Sequence, residues 1–182
     1  MNRNVEIKTK VTDLGAIRKV VEQLADTGPV VLEQEDTFFY CPEGRLKLRC
    51  FNDSKPAELI FYRREDAAGP KECRYAIHRT SDPQGLLAVL SAALEVRAVV
   101  RKRRTLYRVG PTRVHLDEVD GLGQFVELEV VLQPGQEASE GVCIARDLMA
   151  RLGIASNPLI QEAYVDLLLD KQLSRRGTLE AG

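Results

Sequence analysis

Glu6 and Lys8 stand two residues apart in Asn4-Val5-Glu6-Ile7-Lys8-Thr9-Lys10, and far downstream Glu127 and Glu129 stand two apart in Phe125-Val126-Glu127-Leu128-Glu129-Val130. A β-strand sends alternate side chains to opposite faces, so each run would carry its charges on one face and its apolar residues on the other. Basic residues repeat the pattern. Arg45, Lys47 and Arg49 alternate with Leu46 and Leu48, and Lys102 and Arg104 lie between Val100 and Leu106. Arg113, His115 and Asp117 alternate with Val114 and Leu116, while Arg74 and Arg64 fall on similar faces of less sharply bounded runs. Carboxylates hold divalent cations through oxygen, and Arg and Lys grip phosphate oxygens. Both sets lining one pocket would suit a metal-bound polyanion.

Any single strand of this kind is ordinary, because an antiparallel sheet commonly wets one face. The whole chain argues otherwise. Apolar stripes at 13–27, 82–95 and 137–170 demand burial against the apolar strand faces. Like-charged triplets such as Arg45/Lys47/Arg49 repel one another and gain nothing on an open surface. If the sheet curls with helices outside, its charged faces point into a lumen, and about eight strands close a barrel wide enough for one small ligand. Charges buried there need counter-charges.

The elements that would position these residues follow from periodicity and breakers. A strand over 4–11 precedes a helix capped by Asp13, carrying Leu14, Ile17, Val20, Val21 and Leu24 and stopped by Gly28-Pro29. Strands follow at 30–40, 45–49, 58–62 and 72–79, broken by Pro42-Glu43-Gly44, by Asn52-Asp53-Ser54 and by Gly69-Pro70. Ser81 or Asp82 caps a second helix with Pro83 in its first turn. Three more strands cover 98–109, 112–119 and 124–132, and helices cover 137–152 and 158–170. Short connections imply antiparallel pairing. The class is therefore α+β, an eight-stranded antiparallel closed barrel or tunnel with helices packed outside, in one domain over 1–171 with a flexible tail over 172–182.

Composition sets the limits. The 182 residues fit one well-buried domain, and 26 basic residues against 27 acidic give a net charge of −1, which supplies no global field for duplex nucleic acid. Aromatic content of 5% offers no stacking platform for single strands. No apolar run approaches the roughly 20 residues of a membrane span, and the N-terminus lacks a secretory apolar core. Cys41, Cys50, Cys73 and Cys143 form no CxxC pair and read as reduced thiols of a cytoplasmic protein. A homodimer is left open.

Asn4-Val5-Glu6-Ile7-Lys8 resembles the ExExK signature of the CYTH superfamily, the triphosphate tunnel metalloenzymes. Gln34-Glu35-Asp36-Thr37-Phe38-Phe39, Gly44-Arg45-Leu46-Lys47-Leu48-Arg49, His115-Leu116-Asp117-Glu118-Val119-Asp120-Gly121-Leu122-Gly123 and Tyr164-Val165-Asp166-Leu167-Leu168 are similar to its class IV adenylate cyclase-like branch. The resemblance implies a tunnel that binds a nucleotide or linear triphosphate with Mg²⁺ or Mn²⁺. Glu6, Glu127 and Glu129, with Asp117 as a further candidate, would hold the metal. Lys8, Arg45, Lys47, Arg49, Arg64, Arg74, Lys102, Arg104 and Arg113 would grip phosphate, and Glu6 and Lys8 are the catalytic candidates. Attack by the ribose 3′-hydroxyl of ATP would yield cyclic AMP and pyrophosphate. Attack by water would make an inorganic, thiamine or nucleoside triphosphatase. A non-catalytic polyphosphate- or nucleotide-binding module is the third reading.

One departure bears on all three. The first glutamate of ExExK is Asn4 here, and a neutral amide oxygen is a poorer ligand for a divalent cation than a carboxylate. Titration calorimetry with Mn²⁺ is expected to show a single tight site; two tight sites would refute the assignment of a loss to Asn4.

Overall fold

The computed structural model describes residues 1–53, 55–64 and 69–180, the last six as backbone. Among them, eight strands run β1 (Asn2–Val11), β2 (Thr27–Phe39), β3 (Arg45–Phe51), β4 (Ala57–Arg64), β5 (Lys71–Thr80), β6 (Val96–Val109), β7 (Thr112–Val119) and β8 (Gly123–Val131). They close into a barrel in the order β1-β5-β4-β3-β2-β6-β7-β8, with every neighbouring pair antiparallel. Helix α1 (Leu14–Leu24) follows β1, α2 (Pro83–Ala93) follows β5, and α3 (Ala138–Arg151) and α4 (Tyr164–Glu180) close the chain. The expected order of strands and helices is the observed one. No helix among the described residues is long and apolar enough to cross a membrane.

The helices start where their caps dictate. Asp13 accepts a hydrogen bond from the Ala16 amide at 3.0 Å, and Asp82, rather than Ser81, accepts one from the Gly85 amide at 2.9 Å. Three buried stripes decide which way the strands face. Ile7, Val114, Leu116, Val126 and Leu128 look outward from β1, β7 and β8 onto Leu14, Ile17 and Val21 of α1 and Leu148 and Met149 of α3. Val5 and Val130 meet Ala145 of α3, and Leu48 and Ala57 meet the leucines of α2. Each fully buried side chain of this size contributes roughly 1.5–3 kcal/mol. Most of the core therefore lies outside the barrel, a separate cluster of Phe38, Val100, Val119, Phe125 and Tyr164 fills one end of the lumen, and period two turns the charged positions inward.

One expected helix differs. Residues 158–163 are irregular, and α4 begins only at Tyr164 and runs through Glu180. Leu159 bridges Thr9 of β1, the Ile160 amide donates to the Lys8 carbonyl at 2.8 Å, and Thr9 Oγ1 donates to the Pro158 carbonyl at 2.9 Å. These long-range bonds take the backbone groups that a helix would otherwise pair locally.

Gly141 marks the closest approach of α3 to the barrel. A Cβ there would stand 2.8 Å from both Leu132 Cδ2 and Val5 Cγ2, with Val5 Cβ at 3.2 Å. In an open helix Gly→Ala gains about 1 kcal/mol, but here overpacking against a β-branched core residue costs about 1–3 kcal/mol. Gly141→Ala is thus expected to lower the urea midpoint of unfolding; an unchanged or raised midpoint would contradict this packing.

Candidate active site

The lumen encloses a cavity of about 430 Å³. Asn4, Glu6 and Lys8 enter it from β1, Lys47 and Arg49 from β3, Arg64 from β4, Lys102 and Arg104 from β6, Arg113 and His115 from β7, and Glu127 and Glu129 from β8. Register sets their neighbours: Glu6 lies opposite Glu129, Lys8 opposite Glu127, His115 opposite Glu127, and Arg113 opposite Glu129.

One wall is built around Asp36, which is 1% exposed. Arg49 reaches it twice, at 2.7 and 2.8 Å, while Lys47 and Lys102 each donate to Oδ2 at 2.9 Å. Burial would raise its carboxyl, but Arg49, Lys102 and Lys47 hold it well below the usual carboxylate range. Three cations sharing one carboxylate leave an excess of positive charge. Burial, with Arg49, Lys47 and Arg104 beside it and only Asp36 opposing, brings the Lys102 ammonium down to about 7.

Carboxylates line the other wall. Glu6 pairs with Arg64 at 2.7 Å, Arg113 with Glu129 at 2.7 Å, and Arg104 with Glu127 at 2.6 Å. Burial raises the Glu6 carboxyl, and the charge of Glu127 adds to it; Glu127 and Glu129 are held low by Lys8, His115 and the nearby guanidiniums. His115, Glu127 and Glu129 offer ligand atoms that all lie within 4.8 Å of one another. His115 Nδ1 is buried without a hydrogen-bond partner, 3.9 Å from Glu127 and 3.8 Å from Glu129. An unsatisfied buried nitrogen aimed between two carboxylates fits a bound cation.

Three expectations are corrected. Arg74 faces outward, because Cys73 and Tyr75 are the β5 residues that line the cavity; it is 64% exposed and bonds Glu72 at 3.0 Å. Asp117 is committed to other partners: Arg104 takes both its oxygens at 2.7 and 2.6 Å, and the Tyr164 hydroxyl donates to it at 2.8 Å. It positions Arg104 and stands outside the His115/Glu127/Glu129 group. Arg45 keeps the facing of Lys47 but lies beyond the cavity, paired with Asp166 at 2.9 Å.

The segment before α4 crosses one end of the tunnel. Lys8 donates to the Glu162 carbonyl at 3.3 Å and Lys71 to the Gln161 carbonyl at 2.7 Å, while Asp166 takes Arg45 and Arg97. Tyr164 also lines the cavity, with its ring 4.0 Å from Lys8 Nζ. Val30, Leu32, Phe51, Ile77 and Leu106 line the opposite mouth. Sequence reading assigned no role to Asp36 or Lys71. Alternation of Gln34 with Asp36 on β2 was the available signal for the first, and nothing local marks the second.

Residues 2–164 match the family model of the CYTH domain. The chain is 27% identical over 170 residues to a protein named adenylate cyclase CyaB from Aeromonas hydrophila, covering 88% of this chain and 85% of that one. It superposes on the PH1012 protein of Pyrococcus horikoshii with a TM-score of 0.80 at 25% identity, over 91% of this chain and 99% of that one. A Hippeastrum protein described by a dominant triphosphatase activity shares the fold at 15% identity, with a TM-score of 0.68 over 94% and 96% of the two chains.

Lys102 provides a direct test of the electrostatics. After reductive ¹³C-methylation, its resonance is expected to titrate near 7, whereas a freely solvated lysine titrates near about 10.4. An added polyanion favours the charged ammonium, so tripolyphosphate should move the midpoint upward. A midpoint near 10 in the free protein would contradict the arrangement.

Proposed function

The chain belongs to the CYTH domain family, and from that membership we propose that its tunnel is the active site of a metal-dependent enzyme that cyclises a nucleoside triphosphate, ATP to cyclic AMP and pyrophosphate. The observation that carries this reading is the division of the lumen. Lys47, Arg49 and Lys102 stand on β3 and β6 around Asp36 of β2. Next around the barrel, β7, β8 and β1 present His115, Glu127, Glu129 and Glu6, with Arg104 of β6 at the seam between the two walls, bonded to Glu127. A triphosphate between these walls meets cations on one side and, on the other, carboxylates that tolerate it only through a divalent cation.

Glu127 and Glu129, with Glu6 nearby, would hold Mg²⁺ or Mn²⁺. Bound there, the ion supplies neutralisation of the charge that builds on phosphate and leaving group. The remaining work belongs to the chain. Lys47, Arg49 and Lys102 grip and align phosphate oxygens, and Arg104 and Arg113 fix the orientation of the carboxylates. Lys8 adds a further cation beside Glu127. Its raised carboxyl makes Glu6 the group best suited to take the proton from the attacking hydroxyl. The 3′-oxygen then bonds to the α-phosphorus, the bond from that phosphorus to the bridging oxygen breaks, and pyrophosphate leaves with the electron pair.

The mouth carries Leu32, Phe51, Ile77 and Leu106 beside the charged Lys55, Glu58 and Arg79, and its apolar part supports a substrate with an organic group over a bare inorganic chain, since a nucleobase gains from such a lining. Similarity to the Aeromonas protein named adenylate cyclase supports the same reading. Water in place of the ribose hydroxyl would make the same walls a triphosphatase, because the catalysis rests on positioning and charge in both reactions. A fold alone does not choose the nucleophile.

Incubation of the purified protein with Mn²⁺ or Mg²⁺ and ATP, tripolyphosphate or thiamine triphosphate decides the matter. Cyclic AMP and pyrophosphate from ATP are expected. Release of phosphate alone would replace the cyclase with a hydrolase, and thermal stabilisation without turnover would leave only a binding module. On the productive substrate, Glu129→Ala should reduce kcat/KM by on the order of 100-fold, and Asn4→Ala by no more than about threefold.

A further inference from the structure

We propose that the cation in this tunnel is held through an imidazole nitrogen, His115 Nδ1, together with Glu127 and Glu129, and that the site consequently selects Mn²⁺ over Mg²⁺. The inference rests on the tunnel binding a divalent cation, and it adds the identity of the third ligand and the preference that follows from it.

Strand pairing assembles the set. His115 and Glu127 are direct partners across β7 and β8, and Glu129 is the next residue on the same face of β8. His115 is 4% exposed, and its Nδ1 has no partner. The distances of 3.9 and 3.8 Å to Glu127 Oε2 and Glu129 Oε1 exceed a hydrogen bond. They suit a cation instead, because donors about 2.1 Å from a common ion stand roughly 3–4 Å apart.

Outer partners fix the two carboxylates. Arg104 holds Glu127 at 2.6 Å through Oε2, the oxygen that faces His115, so a cation there would share it with the guanidinium. Arg113 holds Glu129 through its other oxygen, Oε2, at 2.7 Å, leaving Oε1 turned toward His115. Such partners orient ligands as conserved outer shells do in metal sites. Glu6 is tied to Arg64, and Asn4 presents an amide where a carboxylate would complete an all-oxygen set. Imidazole supplies what that set lacks. Mg²⁺ takes oxygen ligands and releases water reluctantly, whereas first-row transition ions accept an imidazole nitrogen, and Mn²⁺, the weakest binder among them, still does so more readily than Mg²⁺.

The test uses the full-length, tag-free protein and Mn²⁺ alone. Pulsed electron paramagnetic resonance of the Mn²⁺-loaded protein should show ¹⁴N modulation from a coordinated imidazole. The signal should persist in His78→Ala, which removes the exposed histidine on β5, and vanish in His115→Ala and His115→Asn. Competition titration should give Mn²⁺ at least about tenfold tighter binding than Mg²⁺, a preference His115→Asn abolishes. Bound Mn²⁺ without ¹⁴N coupling, or equal affinities for the two ions, overturns this assignment and leaves the proposed function intact. No bound Mn²⁺ at all overturns both.

Discussion

Charge buried inside a closed barrel must be matched by charge, and the rest of this structure depends on that requirement. Lys47, Arg49 and Lys102 converge on Asp36, and Arg104 is divided between Asp117 and Glu127. Away from water the desolvation of each ion is offset only by such pairing, and removing one partner leaves an uncompensated charge. The pairing is incomplete. Three cations share one carboxylate, and Asn4 Oδ1, Gln34 Oε1 and His115 Nδ1 are buried without partners.

The same requirement closes the tunnel at one end. Lys8 and Lys71 donate to backbone carbonyls of the chain before α4, and Asp166 at the start of that helix takes Arg45 and Arg97. Cations contributed by β1, β5, β3 and β6 thus converge on one short segment. Tyr164 joins the network through Asp117 and covers Lys8 with its ring. The tunnel becomes a cleft whose remaining mouth mixes Val30, Leu32, Phe51, Ile77 and Leu106 with Lys55, Glu58 and Arg79.

Much of this was legible in the strands. Period-two alternation identified Glu6, Lys8, Lys47, Arg49, Lys102, Arg104, Arg113, Glu127 and Glu129, and all nine line the cavity. It failed where the start of a strand was uncertain by one residue. Arg64 and Arg74 looked alike in sequence, yet Arg64 is 2% exposed on Glu6 and Arg74 lies in solvent beside Glu72. Alternation also cannot tell which inward charges pair with one another: Asp117, a metal candidate from the resemblance, is taken up by Arg104 and Tyr164.

Local pattern determined which residues form strands, which face of each is charged, and that helices must cover the apolar side, because alternation and helical spacing are properties of neighbouring residues. Resemblance to a family then supplied the expectation of a tunnel. Only the tertiary structure decided which charges meet. The placement of Asp36 among three cations and of His115 between two glutamates depends on strand register, as the capture of residues 158–163 depends on contacts about 150 residues apart in sequence. Register is set by the packing of the whole barrel, and no short window of sequence contains it.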